Sequence, residues 1–155
     1  MSKIKRSDKL AFLSVDSSYY RLKNFTEFSV SKNPVNYSRQ YIDEDFERND
    51  VVSYSPSISY SFDFDPENPV HATIADMTDN ETVGNKALVK LIFVDISSNP
   101  RAECVATLRT WSLIPDKEGS DPYAYNYSGT LRANGQITFG MALSNDDWET
   151  CTFHE

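Results

Sequence analysis

Four carboxylates stand together at Asp43, Glu44, Asp45 and Glu47, a density that suits a hard cation such as calcium. Their spacing is not that of an EF-hand loop, and no glycine makes the turn such a loop needs. The other candidate ligands, His71, His154, Cys104 and Cys151, do not together form a set with the spacing of a metal site. His71 follows a proline turn rather than a strand end and reads as a surface histidine. The two cysteines need not pair. In a reducing compartment they read as half-buried thiols. The five glycines form no phosphate loop, and no serine occupies a nucleophile elbow. No carboxylate pair stands out as a glycosidase pair. The residues imply no metal, no cofactor and no catalysis, so the chain is expected not to be an enzyme.

The elements around these residues are mostly strands. Ser53 to Phe64 (S-Y-S-P-S-I-S-Y-S-F-D-F) alternates without interruption. Tyr54, Pro56, Ile58, Tyr60, Phe62 and Phe64 point one way; Ser53, Ser55, Ser57, Ser59, Ser61 and Asp63 point the other. At about 3.3 Å per residue, one strand of this length would span roughly 40 Å. Pro56 cannot donate to a ladder, so the strand bends, bulges or lies at an edge there. The serine face is small, neutral and wet.

Ahead of it, Met1 to Leu10 carries Lys3, Lys5, Arg6 and Lys9 and reads as a flexible basic arm. It has no apolar core and is not a secretory signal. Tyr19–Leu22 and Phe25–Val30 can pair around Lys23-Asn24. Asn33 to Asp50 is a long connection, dense in charge and without sustained alternation. It nevertheless holds Tyr37, Arg39, Tyr41, Ile42, Phe46 and Arg48. Aromatics interleaved with charge suit an intersubunit contact; the alternative is a loop folded back on its own domain.

After the serine-rich stretch, Asp65 or Asn68 caps a short helix over about residues 66–79, with Val70, Ile74 and Met77 on one stripe. Lys86–Ile96 reads as a central strand buried on both faces. Arg101–Ile114 is a long strand with Ala102, Cys104, Ala106 and Leu108 inward; Trp111 falls on its outward side, so a bulge or a covering neighbour is needed. Pro115–Pro122 reads as a turn. Asn134-Gly135 signals a hairpin joining the strand through Tyr127 and Leu131 to one through Phe139 and Met141. The expectation is mainly β: a single-domain β-sandwich, residues 1–155, of curled antiparallel sheets with one flanking helix.

The chain is acidic, with net charge −8 and pI near 4.7. Its general field repels nucleic acid and anionic membranes. No apolar run reaches 18 residues, so no membrane-spanning helix is expected.

The order of features resembles the tail tube (major tail) proteins of tailed bacteriophages. The segments Y-I-D-E-D-F-E-R-N-D-V-V-S-Y-S-P-S-I-S-Y and L-R-A-N-G-Q-I-T-F-G carry the resemblance, which spans Ser14 to Leu143. It implies a structural virion protein whose subunits close hexameric rings that stack into a hollow tube for DNA. Residues 33–50 would then be the intersubunit loop, with Asp43 and Glu44 beside its aromatics. Ser53, Ser55, Ser57, Ser59 and Ser61 are a candidate lumen face. The implied partners are further copies of the chain and other tail proteins (tape measure, tail terminator, baseplate or initiator), with DNA only in transit. The implied location is the virion tail, assembled in the host cytoplasm. Many relatives carry a further immunoglobulin-like domain that this sequence lacks, which leaves contractile, non-contractile and bacteriocin-like tails open. The competing reading is a monomeric ligand-binding β-sandwich, such as a carbohydrate-binding module stacking sugars on Trp111, Trp148 and tyrosines.

Overall fold

The computed structural model describes residues 8–97 and 101–155. The strands are β1 (Lys9–Val15), β2 (Ser18–Arg21), β3 (Phe25–Ser31), β4 (Pro34–Arg39), β5 (Arg48–Tyr54) and β6 (Ser57–Asp63). After helix α1 (Pro69–Asp79) come β7 (Leu88–Asp95), β8 (Cys104–Glu118), β9 (Asn126–Ala133), β10 (Thr138–Leu143) and β11 (Thr150–His154). The chain is mainly β, as expected. Nine strands form one sheet in the order β10-β11-β2-β1-β7-β8-β9-β6-β3, and β4 and β5 form a separate pair.

The long strand β8 divides the large sheet into two lobes. Its first part pairs with β10 (Ala142↔Cys104 to Thr138↔Leu108), and its second part pairs with β9 (Trp111↔Ala133 to Glu118↔Tyr127). The β8–β10 pairing closes β10-β11-β2-β1-β7-β8 into a six-stranded barrel. Leu10, Phe12, Ile92, Val94, Cys104, Ala106, Ala142, Trp148 and Cys151 pack together as its core.

The rest, β1-β7-β8-β9-β6-β3, curls without closing. If flat, four strand spacings would put β3 about 19 Å from β7. The Phe28 and Phe93 rings instead lie 6.2 Å apart, so β3 swings back over β7. A groove lined by Ala11, Phe25, Thr26 and Phe28 marks the unclosed seam between β1 and β3. The core of this half-barrel includes Leu13, Ile58, Phe62, Leu91, Trp111 and Leu131.

Helix α1 covers one end of the half-barrel. Asn68 caps it, its Oδ1 accepting from the Val70 and His71 N–H groups at 3.0 and 3.4 Å, with Pro69 at the first helical position. Val70 and Ile74 of the predicted stripe are buried, with Ala75 beside them, while Met77 is half-buried against the same core. Val70 and Ile74, fully buried, are each worth about 1.5–3 kcal/mol.

Several expectations need correction. The twelve residues of Ser53–Phe64 are two strands, because Ser55-Pro56 interrupts the ladder and hands the chain from the β4–β5 pair to the large sheet. β2 and β3 do not pair with each other: β2 pairs with β1 and β11, and β3 with β6. Residues 115–118 continue β8 across a bulge between Pro115 and Lys117 instead of turning. Asn134-Gly135 joins no hairpin: β9 and β10 lie end to end along one edge of β8. The Asn134 N–H donates to the Thr110 carbonyl at 2.9 Å, so the ladder runs into the dipeptide. Gly135, at φ +148°, then takes a backbone shape that side chains resist. The basic arm expected over residues 1–10 lies outside the described residues up to residue 7; Lys9 and Leu10 already belong to β1.

His71 is not on the surface. It is fully buried, stacked on Phe62 at 4.2 Å and edge-on to Phe25 at 5.2 Å. Its Nδ1 accepts from the Asp65 N–H at 3.2 Å, and its Nε2 donates to the Lys23 carbonyl at 3.0 Å. Both ring nitrogens are satisfied by backbone, which lets a polar ring sit in an apolar layer. Cys104 and Cys151 are also buried, and no disulfide joins them.

Candidate assembly surfaces

The expected long connection is an extended hairpin. β4 and β5 pair from Pro34↔Tyr54 to Arg39↔Arg48, with a bulge between Val35 and Asn36. No alternation announces it, because neither of its faces is buried and so neither has to be apolar throughout. Its tip is organised by two arginines. Arg39 Nε donates to the Tyr41 hydroxyl at 2.9 Å, and Arg39 Nη1 meets Asp50 at 2.6 Å. Arg48 grips Glu44 with Nε at 2.9 Å and Nη2 at 2.8 Å. Both guanidinium groups lie 5.5 Å from the centre of the Tyr41 ring, and Arg48 lies 5.6 Å from that of Phe46. Tyr37, Arg39, Tyr41, Glu44, Phe46 and Arg48 are thus brought together, and Ile42 and Asp43 project from the turn.

The hairpin is ordered locally yet buries little. Ile42 is fully exposed and Phe46 is 60% exposed. Val35, Tyr37, Val51, Val52 and Tyr54 are exposed as well. An isolated two-stranded hairpin is marginal in water, and a contiguous exposed apolar patch marks a contact surface. Val51, Val52 and Tyr54 are contact candidates that the sequence reading passed over. Their clustering behind the charged stretch was the available signal.

The second surface is the outer face of β3-β6-β9-β8. Register places Ser29, Ser59, Thr130 and Ile114 in one cross-strand row. Ser31, Ser57, Arg132 and Ser112 form the next, and Glu27, Ser61, Ser128 and Lys117 another. The inward partners Ile58, Tyr60, Phe62, Tyr127 and Leu131 are buried, so alternation leaves hydroxyls outside. Gly129 sits opposite Tyr60, and a Cβ there would lie 2.6 Å from the Ile114 carbonyl and 2.7 Å from the Tyr60 hydroxyl. Ser57, Ser59 and Ser61 belong to this face. Ser53 and Ser55 do not: Ser53 pairs with Val35 in the hairpin, and the Ser55 N–H donates to the Asn33 carbonyl at 3.2 Å. Ser128 and Thr130 join the face unannounced, though the alternation Y-S-G-T-L-R over 127–132 carries them.

Two tryptophans considered as sugar-stacking platforms are inside the protein: Trp111 is 3% exposed and Trp148 4%. Trp111 lies on the outward side of β8, as its spacing implies, and the curl of the half-barrel covers it. Among the described residues, no group of three or more His, Cys, Asp or Glu is placed to hold a metal ion. No helix among them is long and apolar enough to cross a membrane.

No family model matches the chain, and no curated protein matches it in sequence. Solved structures do match in fold. A chain from the tail of an empty gene transfer agent particle, refined with C6 symmetry, superposes with a TM-score of 0.62 at 12% identity. That match covers 87% of this chain and 97% of the other. A chain from the virion of a native gene transfer agent particle gives 0.61 at 13% identity, again covering 87% and 97%. A chain of the anti-feeding prophage cap, which terminates its tube, gives 0.53 at 13% identity, covering 90% and 91%. The fold is that of components of phage-like tails and tubes.

Proposed function

We propose that this chain is a structural subunit of a phage-like tail tube. Copies form rings, six to a ring, and the rings stack into a hollow conduit for DNA within the virion tail. The observation that carries the reading is the match in fold to a tail chain over nearly the whole of both chains. Two surfaces support it. The β4–β5 hairpin offers ordered, exposed aromatic and aliphatic side chains with no cover in the subunit. The outer face of β3-β6-β9-β8 offers rows of hydroxyls in which Glu27 and Asp63 are balanced by Lys117 and Arg132, on a chain of net charge −8. A hydroxyl-rich face without an excess of cations, on an acidic chain, gives a polyanion little to grip, so that face suits a lumen wall. The other partners in this reading are the proteins that start, measure and end such a tail. The subunit is passive, and DNA passes without specific binding.

Electron microscopy of the purified protein, with light scattering on the same sample, tests the reading. Hollow tubes or six-fold rings are the expected result. A monomer at every concentration, with the hairpin intact, would overturn self-assembly and return the monomeric ligand-binding reading to the front.

A further inference from the structure

The half-barrel has two ends, and α1 covers only one. At the other end an open cleft of about 250 Å³ is lined by Val30, Phe93, Thr107, Trp111 and Ile137, with Lys32 and Arg109 at its sides. Three features set it apart. The Trp111 indole N–H is buried and has no acceptor among the described residues. A buried donor without a partner is costly, so an acceptor seated here would be favoured. Val30 and Ile137 remain 42% and 37% exposed at its edge. Lys32 and Arg109 have no carboxylate partner among the described residues; Arg109 spends its Nε on the Gly135 carbonyl at 3.0 Å and lies 5.9 Å from the centre of the Trp111 ring.

The hairpin tip is the complement. Ile42 projects fully into solvent at its apex. Glu44 is paired with Arg48, while Asp43, Asp45 and Glu47 have no cationic partner among the described residues. An apolar plug ringed by unpaired carboxylates faces an apolar cleft flanked by unpaired cations. The two cannot meet within one subunit. Lys32 stands two residues before β4 begins, and β4's six residues carry the tip about 20 Å away.

We propose that the tip of the β4–β5 hairpin of one copy docks in the Trp111 cleft of another. Ile42 fills the cleft, a tip carbonyl or carboxylate oxygen accepts from the Trp111 N–H, and Asp43, Asp45 and Glu47 meet Lys32 and Arg109. Base and tip are different surfaces, so the contact is heterologous and repeats from copy to copy. The inference rests on the self-assembly proposed above and names its contact.

The test mixes two single variants of the full chain, Ile42→Cys and Ile137→Cys, under mild oxidation. Peptide mass spectrometry reads whether position 42 of one copy is joined to position 137 of another, and microscopy of the same sample reads assembly. The expected result is that disulfide, with its yield cut about tenfold by Lys32→Glu and restored when Asp43→Lys and Asp45→Lys are added to the Ile42→Cys partner. Tubes without the disulfide would overturn the docking and leave the tube reading standing. The disulfide without tubes would do the reverse. Neither product would overturn both.

Discussion

His71 ties stability to pH through a single ring. Burial pushes its pKa below the ordinary 6.5, against the opposing pull of the Lys23 carbonyl and the carboxylates of Asp65 and Asp63. The ring is neutral, with its proton on Nε2, because Nδ1 faces the Asp65 N–H donor. A base whose folded pKa lies below its unfolded value leaves stability intact above that unfolded value. Stability is then lost as pH falls from there through the folded value. The thermal midpoint should therefore fall as pH drops below about 6.5, and His71→Gln should remove that part of the slope at some cost at neutral pH. Parallel profiles for the two proteins would remove His71 from the account. The carboxylate window is separate: hydrogen bonds from Ser97 and Lys9 hold Asp95 at about 2, so its contribution goes only as pH falls below 3.8. The sequence disclosed the position of His71 on α1 but not its burial. Which face of a short helix meets a sheet depends on where β3 and β6 bring Phe25 and Phe62, and no local spacing records that.

The β4–β5 hairpin is anchored at its base and held at its tip by its own side chains, so the subunit core does not depend on the tip. Deleting residues 41–48 should leave a folded monomer, with a thermal midpoint within about 5 °C of the parent, that no longer assembles. Calorimetry and light scattering on one preparation read both. Normal assembly of the deletion would show the tip is not a contact. The element teaches what sequence can disclose. Ile58, Tyr60 and Phe62 alternate with serines because one face of β6 is buried, and that strand was legible. In β4 and β5 both faces meet solvent, so the period vanished while the strands remained. The side chains that organise the tip were nevertheless visible as aromatics among charges. The Trp111 cleft was not visible, because Val30, Ile137 and Trp111 are brought together only by the curl of the sheet.

Across the molecule, stability should divide along the same lines. β7 and β8 have ladder partners on both edges and side chains in both cores, so their amides should exchange slowest. The hairpin tip should exchange within seconds in the free subunit and become protected on assembly. Hydrogen exchange of monomer and assembled protein reads this directly, and equal protection of residues 40–47 in both would contradict the assembly role. The mainly β character and the single helix were legible because alternation and capping are local. The shared strand was not, because β9 and β10 claim one edge of β8 in succession and no hydrophobic period shows which partner a stretch will take. That sharing has a mechanical consequence. β1, β7 and β8 run through both lobes, and their ladder hydrogen bonds lie across the strand direction. A pull along β8, drawing barrel from half-barrel, loads those ladders in shear, so many bonds must fail together instead of unzipping one by one. The subunit is therefore stiff along that direction.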